Sequence, residues 1–292
     1  MLSLHTNFAS LSAQNSISNT QSKLSTSMTR LSTGFRVNSA MDDAAGLQIA
    51  TRLKAQTSGM TVAMSNTQNS TSMLQTAEGA FSEVTNMLVR MKDLATQAAD
   101  ASSSADDRTA MQAEFDALGT ELYNVMTNTT FGGSKLLGDG TTGKGTLSES
   151  MTFQIGASST EKMTFDVTAK MTSLNAKLTG LSSNFAATSI TNAGEIKTAT
   201  AANGTIDELE KAINDVSSVR SALGAAANRL DHVNNNLSNI ATNTKAATGR
   251  IMDTDFATES SNMTASQMLL QAGTAMLKQS NSMSSMVMSL LQ

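Results

Sequence analysis

The sequence has no cysteine, no proline and no tryptophan, and its one tyrosine is Tyr123. Each absence excludes something. Without cysteine there is no disulfide and no thiolate metal site. Without proline nothing interrupts a helix interior by removing an amide donor, so very long helices are allowed. Aromatic residues make up 3% of the 292, too few for a compact globule centred on rings, although the 39% of apolar residues still supply a packed core. Length allows one or two domains. The net charge of −4 gives no basic field for nucleic acid. The first residues, MLSLHTNFASLSAQNSISNT, lack the positive start and continuous apolar stretch of a cleavable signal. No segment approaches the roughly 20 apolar residues of a membrane span, so no membrane insertion is expected, and any export takes a route without a cleaved signal.

What is present is periodicity with little charge. The first thirty residues carry Lys23 and Arg30 as their only charges, and Ser260 to Gln292 carry only Lys278. Both ends are rich in Ser, Thr, Asn, Gln and Met, and each holds an apolar stripe. Leu24, Met28, Leu31 and Phe35 step by 4, 3 and 4, behind Leu4, Phe8 and Leu11. Leu269, Met276, Met283 and Leu290 repeat every seven residues, flanked by Met263, Leu270, Leu277 and Leu291. This is the period of a coiled coil. Composition alone also allows disordered tails. The heptads favour tails that become helical only against a partner surface.

Between the ends the pattern is again helical. From about Ala44 to Ala99, Leu53, Met60, Leu74, Phe81 and Leu88 share one column, and Ala77, Val84, Met91 and Ala98 another. A helix of that length is about 84 Å long at 1.5 Å per residue. Ser39 and Asp42 have the spacing to cap its start. A second helix fits 105–128, through Met111, Phe115, Leu118, Leu122 and Val125. Six glycines in 131–146 read as loop and turns. Met151, Phe153 and Ile155, then Met163, Phe165 and Val167, alternate as a hairpin around GASSTE. Residues 168–204, rich in Ala, Ser, Thr and Asn, have weak periodicity. Helix resumes at Thr205, whose spacing to Glu208 is that of a capping box. Leu209, Val216, Leu223, Leu230, Leu237 and Ile251 then keep a seven-residue column broken only by Thr244, beside Val219, Ala226, Val233, Ile240 and Ala247. The fold class expected is mainly α: an antiparallel, coiled-coil-like helical rod built from both chain ends, with a small β-hairpin element at about 131–204.

Residues 31–53, LSTGFRVNSAMDDAAGLQIATRL, resemble the N-terminal signature of bacterial flagellins, and 220–280, from RSALGAAANRLDHVNNNLSNI to DTDFATESSNMTASQMLLQAGTAMLKQ, resemble the C-terminal one. FQIGASSTEKMTFDV at 153–167 is similar to the hairpin of the flagellin outer core. The resemblance implies an extracellular filament subunit for motility. Its inner core would be 1–43 with 257–292, disordered in the monomer, and its outer core 44–256. It implies assembly through Leu24, Met28, Leu31, Leu269, Leu270, Met276, Leu277, Met283 and Leu290, with Arg36, Asn38, Asp42 and Asp43 in the inter-domain segment. The partners it implies are further copies of the chain, an export chaperone, filament cap and hook-junction proteins, and the vertebrate flagellin-sensing Toll-like receptor. For that receptor, Arg90, Leu94 and Glu114 match the family's recognition positions and Gln97 lies on the same face. Arg90 and Leu94 would offer a cation beside an apolar knob. Many flagellins insert large variable domains, and this chain has room only at about 168–204, so a comparatively smooth surface is expected. The short length and methionine-rich core resemble lateral flagellins.

No residue pattern points to an enzyme, a metal or a cofactor. The two histidines, His5 and His232, are far apart and outside any H-E-x-x-H spacing. Asp42 and Asp43 are adjacent and read as capping and dipole residues. The glycines of 132–145 lack the Lys-Ser/Thr of a phosphate loop, and the twenty methionines read as adaptable packing. A hook–filament junction protein with similar ends is the alternative. A cytoplasmic chemoreceptor hairpin, also rich in Ala, Ser and Met, is disfavoured by the missing membrane spans and the glycine-rich β-element.

Overall fold

The computed structural model describes residues 7–138, 144–185 and 194–290, with side chains as far as Met283 in the last helix. Six α-helices run in order: α1 Phe8–Thr33, α2 Ala44–Ala99, α3 Ala105–Asn128, α4 Thr168–Leu181, α5 Ala199–Met252 and α6 Phe256–Leu290. Two short antiparallel hairpins lie between α3 and α4: β1 Thr130–Phe131 with β2 Ser134–Lys135, and β3 Met151–Gln154 with β4 Lys162–Phe165. The chain divides into two compact units, Met1–Thr57 with Thr242–Gln292, and Ser58–Ala241.

The second unit owns the hydrophobic core. Phe81, Val84, Leu88, Met91 and Ala95 of α2 pack with Phe115, Leu122 and Met126 of α3 and with Leu209, Val216, Leu223 and Leu230 of α5. These are the heptad columns of the sequence, closed against one another. Two ion pairs fix the antiparallel direction of α2 and α5: Arg220 Nη2 to Glu78 Oε1 at 2.8 Å, and Lys92 Nζ to Glu210 Oε2 at 3.4 Å. Arg108 of α3 turns back to donate from Nε to the Ala98 carbonyl at 2.7 Å and from Nη2 to the Asp100 carbonyl at 2.8 Å. It thereby satisfies acceptors that a helix end leaves open. Ser104 and Asp107 close a capping box on α3.

The first hairpin turns through Gly132 (φ 58°) and Gly133 (φ 86°). Consecutive positive φ values make the tight two-residue turn that needs glycine. In the second hairpin Phe153 pairs with Met163 and Met151 with Phe165, and the Phe153 and Phe165 rings stack at 6.5 Å.

Three expectations change. The segment from Thr168 to Leu181 is not loose: α4 buries Met171, Leu174, Leu178 and Leu181 in the core, so the room left for a projecting insert shrinks further. Helix α5 begins at Ala199, six residues ahead of Thr205, with Thr198 Oγ1 accepting the Ala201 amide at 3.2 Å as its cap. Thr205 lies inside the helix, its hydroxyl donating to the Glu195 and Ala201 carbonyls, while Glu208 pairs with Lys177 and Lys211. At the start of α2 the cap is Asp43, whose Oδ1 accepts the Gly46 amide at 2.8 Å. Asp42 instead holds the preceding turn.

One polar cluster lies inside this core. Gln112 Nε2 donates to Asp116 Oδ1 and to Glu195 Oε2, both at 2.8 Å, and Gln112 Oε1 accepts the Ile196 amide. Burial pushes the Asp116 carboxyl above its ordinary value, the neighbouring Glu195 carboxylate adds to the rise, and Lys197 opposes it. A carboxyl whose folded value is raised contributes stability that is present in acid and lost as pH climbs through that value. Asp116→Asn is therefore expected to unfold at a higher temperature than wild type at pH 7. The gain should fade below the ordinary aspartate value of about 3.9. Thermal melts at the two pH values check this, and an equal shift at both would refute it.

Candidate functional site

No cluster of buried hydrophobic residues forms among the described residues of the first unit; both such clusters lie within 58–241. Helices α1 and α6 nonetheless pair along their length, antiparallel. Asn7 Nδ2 donates to the Ser280 carbonyl at 3.3 Å, and Ser10 Oγ to Asn281 Oδ1 at 3.2 Å. At the far end of the pair Arg30 Nη1 lies 3.7 Å from Glu259 Oε2. The residues these helices bury are small or polar: Ser27, Ser266 and Glu259. At Gly273 a Cβ would stand 2.9 Å from Ile17 Cγ1, so a larger residue there would have to displace the Ile17 side chain.

The pairing leaves large side chains outside. Phe8, Leu11, Met28, Phe256, Met268, Leu269, Met276 and Met283 are all exposed. Of the expected assembly residues, Met28, Leu269, Met276 and Met283 are exposed, and Leu24, Leu31, Leu270 and Leu277 are half-buried. Leu4, His5, Leu291 and the side chain of Leu290 lie outside the described residues. Two helices in contact can cover only one face of each other. Apolar area left on the remaining faces marks an association surface.

The segments next to the pair are tied together. Helix α1 ends at Gly34, in the left-handed conformation at φ 74°, its amide donating to the Arg30 carbonyl. Phe35 then bridges to Asp253. The Arg36 amide donates to the Met252 carbonyl at 2.6 Å, its Nη2 to the Ile251 carbonyl at 2.8 Å, and the Thr254 amide to the Gly34 carbonyl at 3.0 Å. Asp42 Oδ2 accepts the amides of Asn38 and Ser39. Hydrogen bonding by Ser39 and then Asn38 holds its carboxyl below the ordinary value. Asn38 Nδ2 donates to the Phe35 carbonyl. All four residues expected in the connecting segment thus take part in its turn or in the cap of α2.

In the second unit Arg90 and Glu114 form a two-pronged ion pair, Nη2 to Oε1 at 2.7 Å and Nε to Oε1 at 2.8 Å, each side chain about half exposed. Gln97 is exposed beyond it. Leu94 is 2% exposed and belongs to the core. The expected apolar knob beside Arg90 is therefore not offered to solvent. The i, i+4 spacing places Leu94 one turn from Arg90, but that spacing does not tell which of the two the neighbouring helices cover. His232 is exposed. No group of three metal-ligating side chains occurs among the described residues, and no described helix is long and apolar enough to cross a membrane.

Sequence reasoning missed Gly273 and Glu259, which set the spacing and one end of the α1–α6 pair. A glycine inside a long heptad run was the available signal. Cysteines placed at Ser10 and Asn281, the only two in the chain, are expected to cross-link on mild oxidation. Adding Gly273→Leu should slow that cross-linking severalfold, and Ile17→Ala should restore it. Unchanged cross-linking on adding Gly273→Leu would show that the glycine does not set the spacing.

Residues 4–142 match the family model described as the bacterial flagellin N-terminal helical region, and 206–291 match the C-terminal helical region. Flagellin A of Vibrio anguillarum is 34% identical over 384 aligned positions, covering 100% of both chains. Flagellin A of Vibrio cholerae serotype O1 is 33% identical with the same coverage. Both alignments exceed the 292 residues present here, so those relatives carry segments this chain lacks. Among solved structures, a candidate flagellar hook-associated protein from Vibrio parahaemolyticus shares the fold at 15% identity, TM-score 0.54, over 73% of this chain and all of that one.

Proposed function

The chain belongs to the bacterial flagellin family, and from that premise we propose how its surfaces build the filament and how they are covered before assembly. It is a structural subunit of the flagellar filament, secreted and extracellular, that polymerises with copies of itself; it is not an enzyme. A hook-junction role is not favoured, because the flagellins match at a third identity along the whole chain whereas the hook-associated protein shares the fold alone.

The observation that carries the assembly reading is the set of exposed apolar stripes on α1 and α6, with no hydrophobic cluster of their own. In this reading 1–43 and 257–292 form the inner core and 44–256 the outer core. The stripes through Leu24, Met28, Leu31, Leu269, Leu270, Met276, Leu277, Met283 and Leu290 meet those of neighbouring copies. Until then no neighbouring copy covers the outer stripes, the α1–α6 pair alone has no hydrophobic cluster to hold it, and the terminal segments are unfolded in the monomer. Before assembly an export chaperone covers the C-terminal stripe, and at the filament's two ends cap and hook-junction proteins meet the same surfaces. Deleting Ser260–Gln292 is expected to leave a soluble, partly helical protein that sediments as monomer under conditions where wild type forms polymer. Normal filaments from that truncation would overturn the reading.

A second reading rests on the resemblance of 88–97 and on the exposure of Arg90 and Glu114. In it the vertebrate flagellin-sensing Toll-like receptor takes the monomer through Arg90, Gln97 and Glu114, with Leu94 supporting the helix from behind. An exposed ion pair contributes less than about 1 kcal/mol, so the Arg90 guanidinium can be released to a receptor acceptor at little cost. Its forked donors suit that role. Monomer is expected to activate receptor-bearing cells, and Arg90→Ala to lose most of that response. An Arg90→Ala monomer as potent as wild type would remove the receptor role from this face.

A further inference from the structure

The chain has twenty methionines and no cysteine, and among the described side chains every exposed methionine lies in the first unit, where Met252 and Met263 are half-buried. Met28, Met268, Met276 and Met283 on α1 and α6 are 54, 60, 68 and 56% exposed, and Met41, in the turn before α2, is 97% exposed. No methionine of 58–241 is exposed: Met60, Met91, Met126, Met163 and Met171 are buried and the others half-buried. Random placement of a soft, adaptable side chain would not sort it this way. The core uses methionine as filling. The α1–α6 pair displays it on the faces left for association.

A displayed thioether is also a reactive group. We infer that Met28, Met268, Met276 and Met283 form an oxidation site through which hydrogen peroxide reversibly switches off self-assembly. The inference rests on the assembly reading above. The thioether sulfur attacks one oxygen of the peroxide; an S–O bond forms as the O–O bond breaks. The second oxygen leaves as water, carrying both peroxide hydrogens. Sulfur is oxidised by two electrons and the peroxide is reduced by two. The product is a sulfoxide, polar and chiral where the thioether was apolar and flexible. Its oxygen needs a hydrogen-bond donor once dry, and a polar group buried without one is disfavoured. Oxidation at these four positions thus converts an association surface into a hydrated one. Copies already assembled cover the same sulfurs and escape. With no thiol in the chain, peroxide is not diverted to cysteine.

The chain carries its own controls. Buried Met91, Met126 and Met171 report whether the core stays closed. Met41 is the most accessible sulfur but lies off the stripes of α1 and α6, so its oxidation should be silent.

The test treats full-length monomer with hydrogen peroxide, maps sulfoxides by peptide mass spectrometry, and measures polymer by sedimentation. The four stripe methionines and Met41 are expected to oxidise at least about tenfold faster than Met91, Met126 and Met171, as exposure governs access. Polymer should fall at least about tenfold, and return after treatment with the two epimer-specific methionine sulfoxide reductases. The variant M28L/M268L/M276L/M283L should polymerise and keep doing so after peroxide, whereas Met41→Leu should remain as sensitive as wild type. Undiminished polymer from wild type oxidised at the four positions would overturn the inference, as would peroxide sensitivity in the quadruple variant. If that variant cannot polymerise untreated, reductase reversal in wild type decides: restored assembly supports the inference and no restoration overturns it. Failure of untreated wild type to polymerise would instead strike the assembly reading itself.

Discussion

Two helices cannot bury each other. Contact along one line hides one face of each: α1 and α6 bury Ser27, Ser266 and Glu259, keep Leu24, Leu31, Leu270 and Leu277 half-buried, and set Gly273 against Ile17. The other faces leave Phe8, Leu11, Met28, Leu269, Met276 and Met283 exposed. Charge is nearly absent from these helices, so the outward faces have no strong preference for water. The second unit solves the same problem differently: α2, α3, α4 and α5 contribute Phe81, Phe115, Leu174 and Leu223 to one buried cluster, and the stripes close on one another. One chain thus holds a finished core and an unfinished one.

Much of this was legible in the sequence, for a specific reason. The bounds of α2 and α3 were read from apolar columns because those helices face partners on one side only, which imposes a clean period. The hairpin at β3 and β4 was read from alternation for the same reason. Helix α4 escaped because its buried residues, Met171, Leu174, Leu178 and Leu181, are set among Ala, Ser and Thr that blur the contrast. Its 3, 4, 3 stepping was present but weak. The start of α5 was misplaced because Thr205 and Glu208 have the spacing of a cap without its position. Thr198 stood upstream in a stretch with no period to flag it. Ser39 and Asp42 have the spacing of a capping box, but they close the turn ahead of α2, and the cap falls at Asp43, four residues beyond Ser39.

The candidate site was legible as a pattern and not as an arrangement. Heptads give the spacing of apolar residues on α1, α6 and α2, and within a stripe the structure half-buries some, such as Leu24 and Leu31, and exposes others, such as Met28. They did not tell which face a neighbouring helix would take. Leu94 shows the limit: one turn from the half-exposed Arg90, it is wholly enclosed. Face assignment needs the partner, and the partner is hundreds of residues away in the chain for the terminal helices and over a hundred for α2 and α5. Local sequence carries the period, and topology alone carries the phase.

That separation has a consequence for how the chain is completed. Asn7 meets Ser280 at a sequence separation of 273, close to the greatest span a 292-residue polymer allows. Closing a loop of that size has an entropic cost that rises with the logarithm of its length, and no earlier contact on α1 can substitute for it. On the assembly reading proposed above, the stripes that meet neighbouring copies sit on two helices far apart in the sequence, so a molecule without α6 leaves α1 unmatched, and incorporation depends on a subunit that carries both helices.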